Sequence, residues 1–447
     1  MTTSSISSKT VLSFLIASTA LGLSMKPAAS QAPTSGTPAI KTSATTTTIS
    51  KPVTPAAKNS PVTTAQPAPL KGAAVHVADE AAKSMTNDQM LKASANVVGK
   101  YRVGWQMFLQ NPCRTGLATP ESSVPPRGRL HWSFPAEGPI DSSPAIYKGV
   151  VYVGSDDTNV YAVDERTGSM LWHTKLGDKV KSSPAIGDGI LVIGCEDKKL
   201  YCLETHTGKV LWSAESGDRI SSSPAIYDGV AYVGSWDGFL YAVDIKTGAI
   251  KWKFQTGGRI TSSPAIISNM ALVSSHGGSL FAVSLHDGSQ IWQHKTGNKI
   301  FASPMVLGDT VYVSSWDKYF YALDVANGHL KWKYAGAETF SISPVGANGK
   351  VFVGNDDLKM YCLNSATGKM LWKTGINSPV PLLSSSPGLV GNMMYVGSSD
   401  SYVYAIDTRN GAIKWKYKTQ RPICSSPAIS SSGVCIGSQD GNLYSID

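Results

Sequence analysis

Residues 222–254 read SSPAIYDGVAYVGSWDGFLYAVDIKTGAIKWKF, and the fold follows from how this stretch is punctuated. Four short runs rich in Val, Ile, Tyr, Phe and Trp are separated by Asp228-Gly229, Trp236-Asp237-Gly238 and Thr247-Gly248. Each run has the length and β-rich content of a strand, and the pairs between them supply tight turns. Four strands in about forty residues is the unit of a β-propeller blade.

The same beat extends in both directions. A Ser-Pro dipeptide recurs at Pro144, Pro184, Pro224, Pro264, Pro304, Pro344, Pro387 and Pro427, preceded by Ser or Ala in seven units and by Ile342 at Pro344. The steps are 40 residues with one of 43, and Trp132, Trp172, Trp212, Trp252, Trp292, Trp332, Trp372 and Trp415 keep the same spacing. Two independent markers sharing one period and one insertion establish a true repeat. The last unit stops at Asp447 after three strands, whereas Trp132 precedes the first Ser-Pro strand. The spacing therefore predicts an all-β, eight-bladed propeller over 128–447. Its blades are four-stranded and antiparallel, and pairing of the N- and C-terminal strands closes the ring and hides the sheet edges.

Outside the repeat the chain changes character. Residues 1–32 place Lys9 ahead of an apolar run from Val11 to Leu23 and end in Ser30-Gln31-Ala32, which reads as a secretory signal peptide too short in its apolar part to span a bilayer. No transmembrane segment is expected. The first cysteine is Cys113, so a lipid anchor just after the leader is not expected either. Residues 33–77 are a Thr/Pro/Ala-rich linker whose composition cannot offset ordering entropy. Residues 78–127 form a lead-in, with a capping-box pattern at Thr86-Asn87-Asp88-Gln89 and a stop at Gly99 predicting a short helix. The formal charge of the 447-residue chain is +9, but residues 1–72 hold six Lys and no acid. The rest of the chain is nearly neutral, which argues against a nucleic-acid partner.

The units Tyr161-Ala-Val-Asp164-x-x-Thr167-Gly168-x-x-x-Trp172 and Tyr241-Ala-Val-Asp244-x-x-Thr247-Gly248-x-x-x-Trp252 resemble the tryptophan-docking repeat of the pyrroloquinoline-quinone-type (PQQ) propellers. The segment Trp105-Gln-Met-Phe108, followed by Arg114-Thr115-Gly116, is similar to the lead-in found before such propellers. The resemblance implies that the eight repeat tryptophans are docking residues between blades. Ser284 replaces the Asp, and Asp287, Asn327 and Asn410 replace the Thr, so those blades are expected to dock more loosely. The family includes quinone-dependent dehydrogenases of alcohols and sugars as well as non-catalytic envelope scaffolds of the BamB type. The long insertions, adjacent cysteines and catalytic Asp with a calcium site that mark the dehydrogenases are not visible here.

Sequence motifs for other chemistries are missing. The six cysteines, at 113, 195, 202, 362, 424 and 435, form no adjacent pair and no haem-attachment motif. Cys202 and Cys362 stand where other blades have Ala, as small core residues do. The recurring acid at Asp157, Asp197, Asp237, Asp317, Asp357, Asp400 and Asp440 reads as a turn brace rather than a calcium ligand, since a metal needs several oxygens converging in one place. No zinc cluster, phosphate loop or nucleophile elbow is present, and no catalytic or metal residue is nominated.

One face nevertheless stands out. In an up-and-down blade, the turn between the second and third strands shares a side with the link to the next blade. Those links carry Lys179, Arg219, Arg259 and Lys299, and the turns carry Trp236, His276 and Trp316, flanked by Asp156, Glu196 and Asp356. A basic arc with aromatics is the expected partner-binding face. Two main readings are open. The first is an exported, non-catalytic binding or scaffold module for a protein or extracellular polymer, monomeric, in the periplasm, cell envelope or extracellular space, and without a cofactor. The second is a PQQ-dependent dehydrogenase using calcium. A third option gives the same aromatics to sugar.

Overall fold

The computed structural model describes residues 106–118, 125–376 and 384–447. The leader over 1–32, the linker over 33–77 and the helix near Thr86 lie outside the described residues. Within them, strands form eight four-stranded antiparallel sheets and there is no helix; none is therefore long and apolar enough to cross a membrane. Blade 1 consists of Ala145–Tyr147, Val150–Gly154, Asn159–Asp164 and Met170–Lys175. Blades 2 to 7 repeat it, beginning at Ala185, Ala225, Ala265, Met305, Val345 and Gly388. Blade 8 takes Ala428–Ser430, Gly433–Gly437 and Asn442–Ile446 from the C-terminus and Leu130–Pro135 from the other end of the repeat. Trp132 pairs with Ser445 and Phe134 with Leu443, so the ring closes as the spacing predicted.

The two middle strands of each blade are buried almost throughout, because a neighbouring blade covers each of their faces. The outer strand alternates exposed and covered positions, as in Ile250–Gln255. A β-bulge interrupts the outer pairing just past the tryptophan: Ala162 pairs with Trp172, but Val163 pairs with Met170. The residue opposite the indole is small in every blade, being Ala, Cys202, Cys362 or Ser445. That register explains the two cysteines as space-makers. All six cysteines are free thiols.

Each indole reaches the next blade twice. Its Nε1 donates to a turn carbonyl, from Trp132 to Glu165 O at 2.8 Å through Trp372 to Thr408 O at 3.1 Å. Its face lies against a glycine. Gly288 has φ +75°, and a Cβ there would sit 2.7 Å from Cε3 of Trp252. The looser docking expected of the departing blades shows only as slightly longer bonds: their indoles, Trp252, Trp292 and Trp372, donate at 3.0–3.1 Å, and the other five at 2.8–2.9 Å. Every bond is kept, because docking uses a carbonyl and a glycine that those substitutions leave in place. The turns are re-braced by other side chains: Asp287 Oδ1 accepts from Ser289, and Asn327 Oδ1 accepts from the His329 amide.

Around the axis, the serine before each proline forms a closed ring. Ser143 N donates to Ser183 Oγ at 2.9 Å, and the pattern passes through all eight blades until Ser426 N returns to Ser143 Oγ at 2.9 Å. Farther along the same strands, residues 106–118 cross the channel and close one end. Their carbonyls accept from Ile186, Ile266, Val306, Gly346 and Leu389, which belong to five different blades. Arg114 anchors this plug. It is wholly buried, and its guanidinium donates to the carbonyls of Pro264, Phe108, Ser223 and Pro224 at 2.5–3.2 Å. Burial lowers its pKa to about 9, against the opposing pull of the Cys113 thiol.

Candidate functional site

With one end plugged, the channel is a cup. Its cavity of about 190 Å³ is floored by Phe108, ringed by the eight serines, and rimmed by the residues three positions before each proline. Seven of those rim residues are Asp141, Lys181, Ser221, Thr261, Phe301, Ser341 and Cys424.

The turn residues named from the sequence do join the links named with them. The amides of Glu196, Trp236, His276 and Trp316 donate to the carbonyls of Lys179, Arg219, Arg259 and Lys299 at 2.9–3.0 Å. The repeat places all eight residues around one mouth, each against the neighbouring loop. Their side chains divide the mouth into two halves.

The half over blades 1 and 2 is an ion-pair network. Lys181 lies between Asp141 at 2.9 Å and Asp156 at 3.2 Å, while Lys179 also reaches Asp156 at 3.0 Å. Burial opposes the charge of Lys181, but the two carboxylates more than offset it and raise its pKa. Arg219 pairs with Glu196 at 3.6 Å. Glu196 Oε1 has no hydrogen-bond partner among the described residues, and burial raises the carboxyl's pKa despite Lys181 and Arg219.

The half over blades 3 to 5 is aromatic. His276 packs on Phe301 with centroids 4.2 Å apart, and Phe301 packs on Trp316 at 4.3 Å. Arg219 and Arg259 lie over the Trp236 ring at 5.6 and 5.0 Å. The polar edges turn inward: Trp236 Nε1 donates to Ser221 at 2.7 Å, Trp316 Nε1 donates to Ser341 at 3.1 Å, and His276 Nε2 meets Thr261 Oγ1 at 2.9 Å. The rings are therefore held in place, each half-buried. Burial, then Lys299 and Arg259, push the His276 pKa down to about 4, so this imidazole is neutral at physiological pH. Arg259 and Lys299 are exposed and pair with no carboxylate among the described residues. Beyond the stack, Asp356 accepts from Ser341 at 2.6 Å and from Thr339. Burial lifts its carboxyl to about 6 against those two hydrogen bonds.

Of the four predicted cations, then, two are neutralised and two have no carboxylate partner among the described residues. Sequence reasoning missed Phe301, which completes the stack, and Lys181, which organises the polar half. Phe301 had a signal: it is the aromatic at a position where other blades carry Asp141, Lys181, Ser221, Thr261, Ser341, Ser384 and Cys424. The recurring Asp also does more than brace a turn. Asp237 Oδ1 accepts the Phe239 amide, while Oδ2 accepts Tyr241 Oη at 2.7 Å and the Gly217 amide at 2.7 Å.

A quinone with calcium finds little to hold it here. Calcium takes about six to eight oxygens, and among the described residues no three His, Cys, Asp or Glu side chains are grouped to bind a metal. Asp141 and Asp156 are engaged by Lys181. The residues present do not fit the group.

Comparison with known proteins agrees with this architecture. Residues 136–310 and 188–380 match the family model described as the β-propeller of the beta-alanine-activating enzyme, and residues 335–447 match that of the outer membrane protein assembly factor BamB. The chain belongs to the PQQ-like repeat β-propeller family. No curated protein matches the sequence. Among solved structures, BamB from Moraxella catarrhalis is 19% identical, with 72% of this chain and 99% of that one covered at a TM-score of 0.64. A europium-containing methanol dehydrogenase is 15% identical, covering 79% of this chain and 92% of that one at 0.65. The quinohemoprotein alcohol dehydrogenase from Comamonas testosteroni is 14% identical, covering 83% of each chain at 0.65. At these identities the likeness is one of fold.

Proposed function

We propose that this protein is an exported, non-catalytic propeller that binds a protein or polymer partner of the cell envelope through the open mouth of its channel. The observation that carries this reading is the broken symmetry at that mouth. Seven blades carry the same Asp-Tyr brace and all eight share the serine ring, yet three consecutive blades replace polar turn residues by Trp236, His276 and Trp316. The indole donors are tied inward to Ser221 and Ser341, leaving rigid rings beside two cations that have no carboxylate partner among the described residues. Rigid aromatics flanked by Arg are the composition of binding hot spots. The apolar leader over 1–32 and the linker over 33–77 support export and a tethered propeller.

The test is photo-crosslinking in the cell envelope from position 236, with position 253 on an outer strand as control. A discrete adduct from 236 alone is expected, and it should be lost in Trp316→Ala. Calorimetric titration with pyrroloquinoline quinone and calcium is expected to give no heat. Saturable binding of the quinone would overturn the non-catalytic reading in favour of a dehydrogenase.

A further inference from the structure

The aromatic half of the mouth differs from an ordinary protein-docking patch in three respects, and together they specify a ligand. The first is charge. Arg259 and Lys299 flank the rings without a carboxylate partner among the described residues, whereas the neighbouring cations Lys179 and Arg219 are paired. His276 is neutral between them and adds no third positive charge, while Asp356 sets one carboxylate on Ser341 at the far side of the stack. The second is the form of the platform. His276, Phe301 and Trp316 make a continuous stack whose ring nitrogens are committed inward; Phe301 is covered by its two neighbours, so what remains for a ligand is the outer face of an end ring such as Trp316. Such a face carries negative potential and favours C–H edges.

The third is the wall behind the platform. Each of the eight ring serines accepts an amide through Oγ, and none has a protein acceptor for its own hydroxyl proton among the described residues. These serines are 3–5% exposed and line the cup directly below the platform. They present a set of hydroxyls able to exchange hydrogen bonds with water or with another polyol.

We infer that the mouth binds an acidic carbohydrate: a pyranose stacked on Trp316 at the end of the aromatic stack, its carboxylate on Arg259 and Lys299, and its hydroxyls directed at the serine-lined cup. This rests on the binding-module reading above and names its ligand. An acidic protein segment would use the cations equally, but it has no use for a hydroxyl-lined cup or for ring faces stripped of donors. Arg259 suits a carboxylate in particular, because its guanidinium lies 5.0 Å over the Trp236 ring and its planar fork of donors matches a carboxylate.

The experiment is calorimetric titration of the full chain with tetragalacturonate, its methyl ester and poly-glutamate. Tetragalacturonate is expected to bind saturably, its ester at least about tenfold more weakly, and poly-glutamate more weakly than the uronate. Arg259→Ala and Trp316→Ala should each lower uronate affinity about tenfold. Because Arg259 is exposed, its variant should keep the parent melting temperature and so reports on binding alone. Absence of uronate binding, equal binding of the ester, or poly-glutamate binding as tightly as the uronate overturns the inference. If uronate fails while crosslinking from position 236 still yields a discrete partner, the ligand assignment falls and the binding-module reading stands. If the quinone binds, that reading itself falls.

Discussion

At Asp356 a single carboxyl shows how the mouth trades stability for shape. It lies buried near Glu338 and Asp357, held by Ser341 and Thr339, and burial lifts it to about 6 from an ordinary value of 3.8. An acid whose pKa is higher in the folded state is stabilising below its unfolded pKa, and that contribution is lost as pH rises through the folded value. Stability from this group is therefore complete near pH 4 and gone above about pH 7. Asp356→Asn keeps an oxygen to accept from Ser341 and Thr339 but carries no charge. We expect it to stabilise the protein at pH 7.5 by at most about 3 kcal/mol, with the gain vanishing toward pH 4. Thermal melts of both proteins across that range check the sign. None of this was legible in the sequence. Asp356 stood there as one acid beside another, and its environment comes from loops of two adjacent blades.

Among the elements, the hairpin between the second and third strands carries a pairing that composition conceals. In seven blades the turn Asp accepts a tyrosine hydroxyl from the third strand at 2.5–2.9 Å. Blade 4 has Gly277 and Phe281 at the two positions, so donor and acceptor are lost together. A lone tyrosine there would bury an unpartnered hydroxyl. Grafting the pair as Gly277→Asp with Phe281→Tyr should recover a coupling of about 1 kcal/mol in a double-mutant cycle, with Phe281→Tyr alone destabilising. Denaturant melts of the four proteins measure it, and additivity of the two changes would show the brace to be inert. The recurring Asp was read correctly as a turn residue, but its Tyr partner four residues on was not singled out. The link between them is a hydrogen bond across a hairpin, and periodicity carries no record of side-chain direction. The expected loosening of blades lacking the Asp or Thr is slight, 3.0–3.1 Å against 2.8–2.9 Å in the indole bond, for a related reason. The motif's conspicuous letters brace the turn, while the docking contact rests on a carbonyl and a glycine.

The whole molecule is held by closure at two places. Leu130–Pro135 completes blade 8, and residues 106–118 tie the first strands of five blades together across the axis. Both belong to the N-terminal side of the repeat, so the ring is sealed by a segment that precedes it in the chain. Arg114→Met would leave the carbonyls of Pro264, Phe108, Ser223 and Pro224 without their donor. We expect a loss of about 3–5 kcal/mol, read as a lower melting temperature together with faster proteolysis near residue 118. An unchanged melt would mean that the plug rides on the ring without supporting it.

The period of forty residues, the Ser-Pro and Trp beats and the incomplete last unit were enough to determine blade number, strand count and closure. Each of these depends on local turn chemistry and on alternation along the chain, which a sequence records directly. The sidedness of the mouth, with Lys179, Arg219, Arg259, Lys299, Trp236, His276 and Trp316 on one rim, came from the same connectivity. Tertiary structure alone decided which of those charges are spent, that Phe301 joins His276 to Trp316, that eight serines link into a ring, and that Arg114 closes the far end. Those are contacts between residues fifteen or more positions apart on different loops, or between the lead-in and the blades. Their energies depend on distance and burial in three dimensions, which no local pattern encodes.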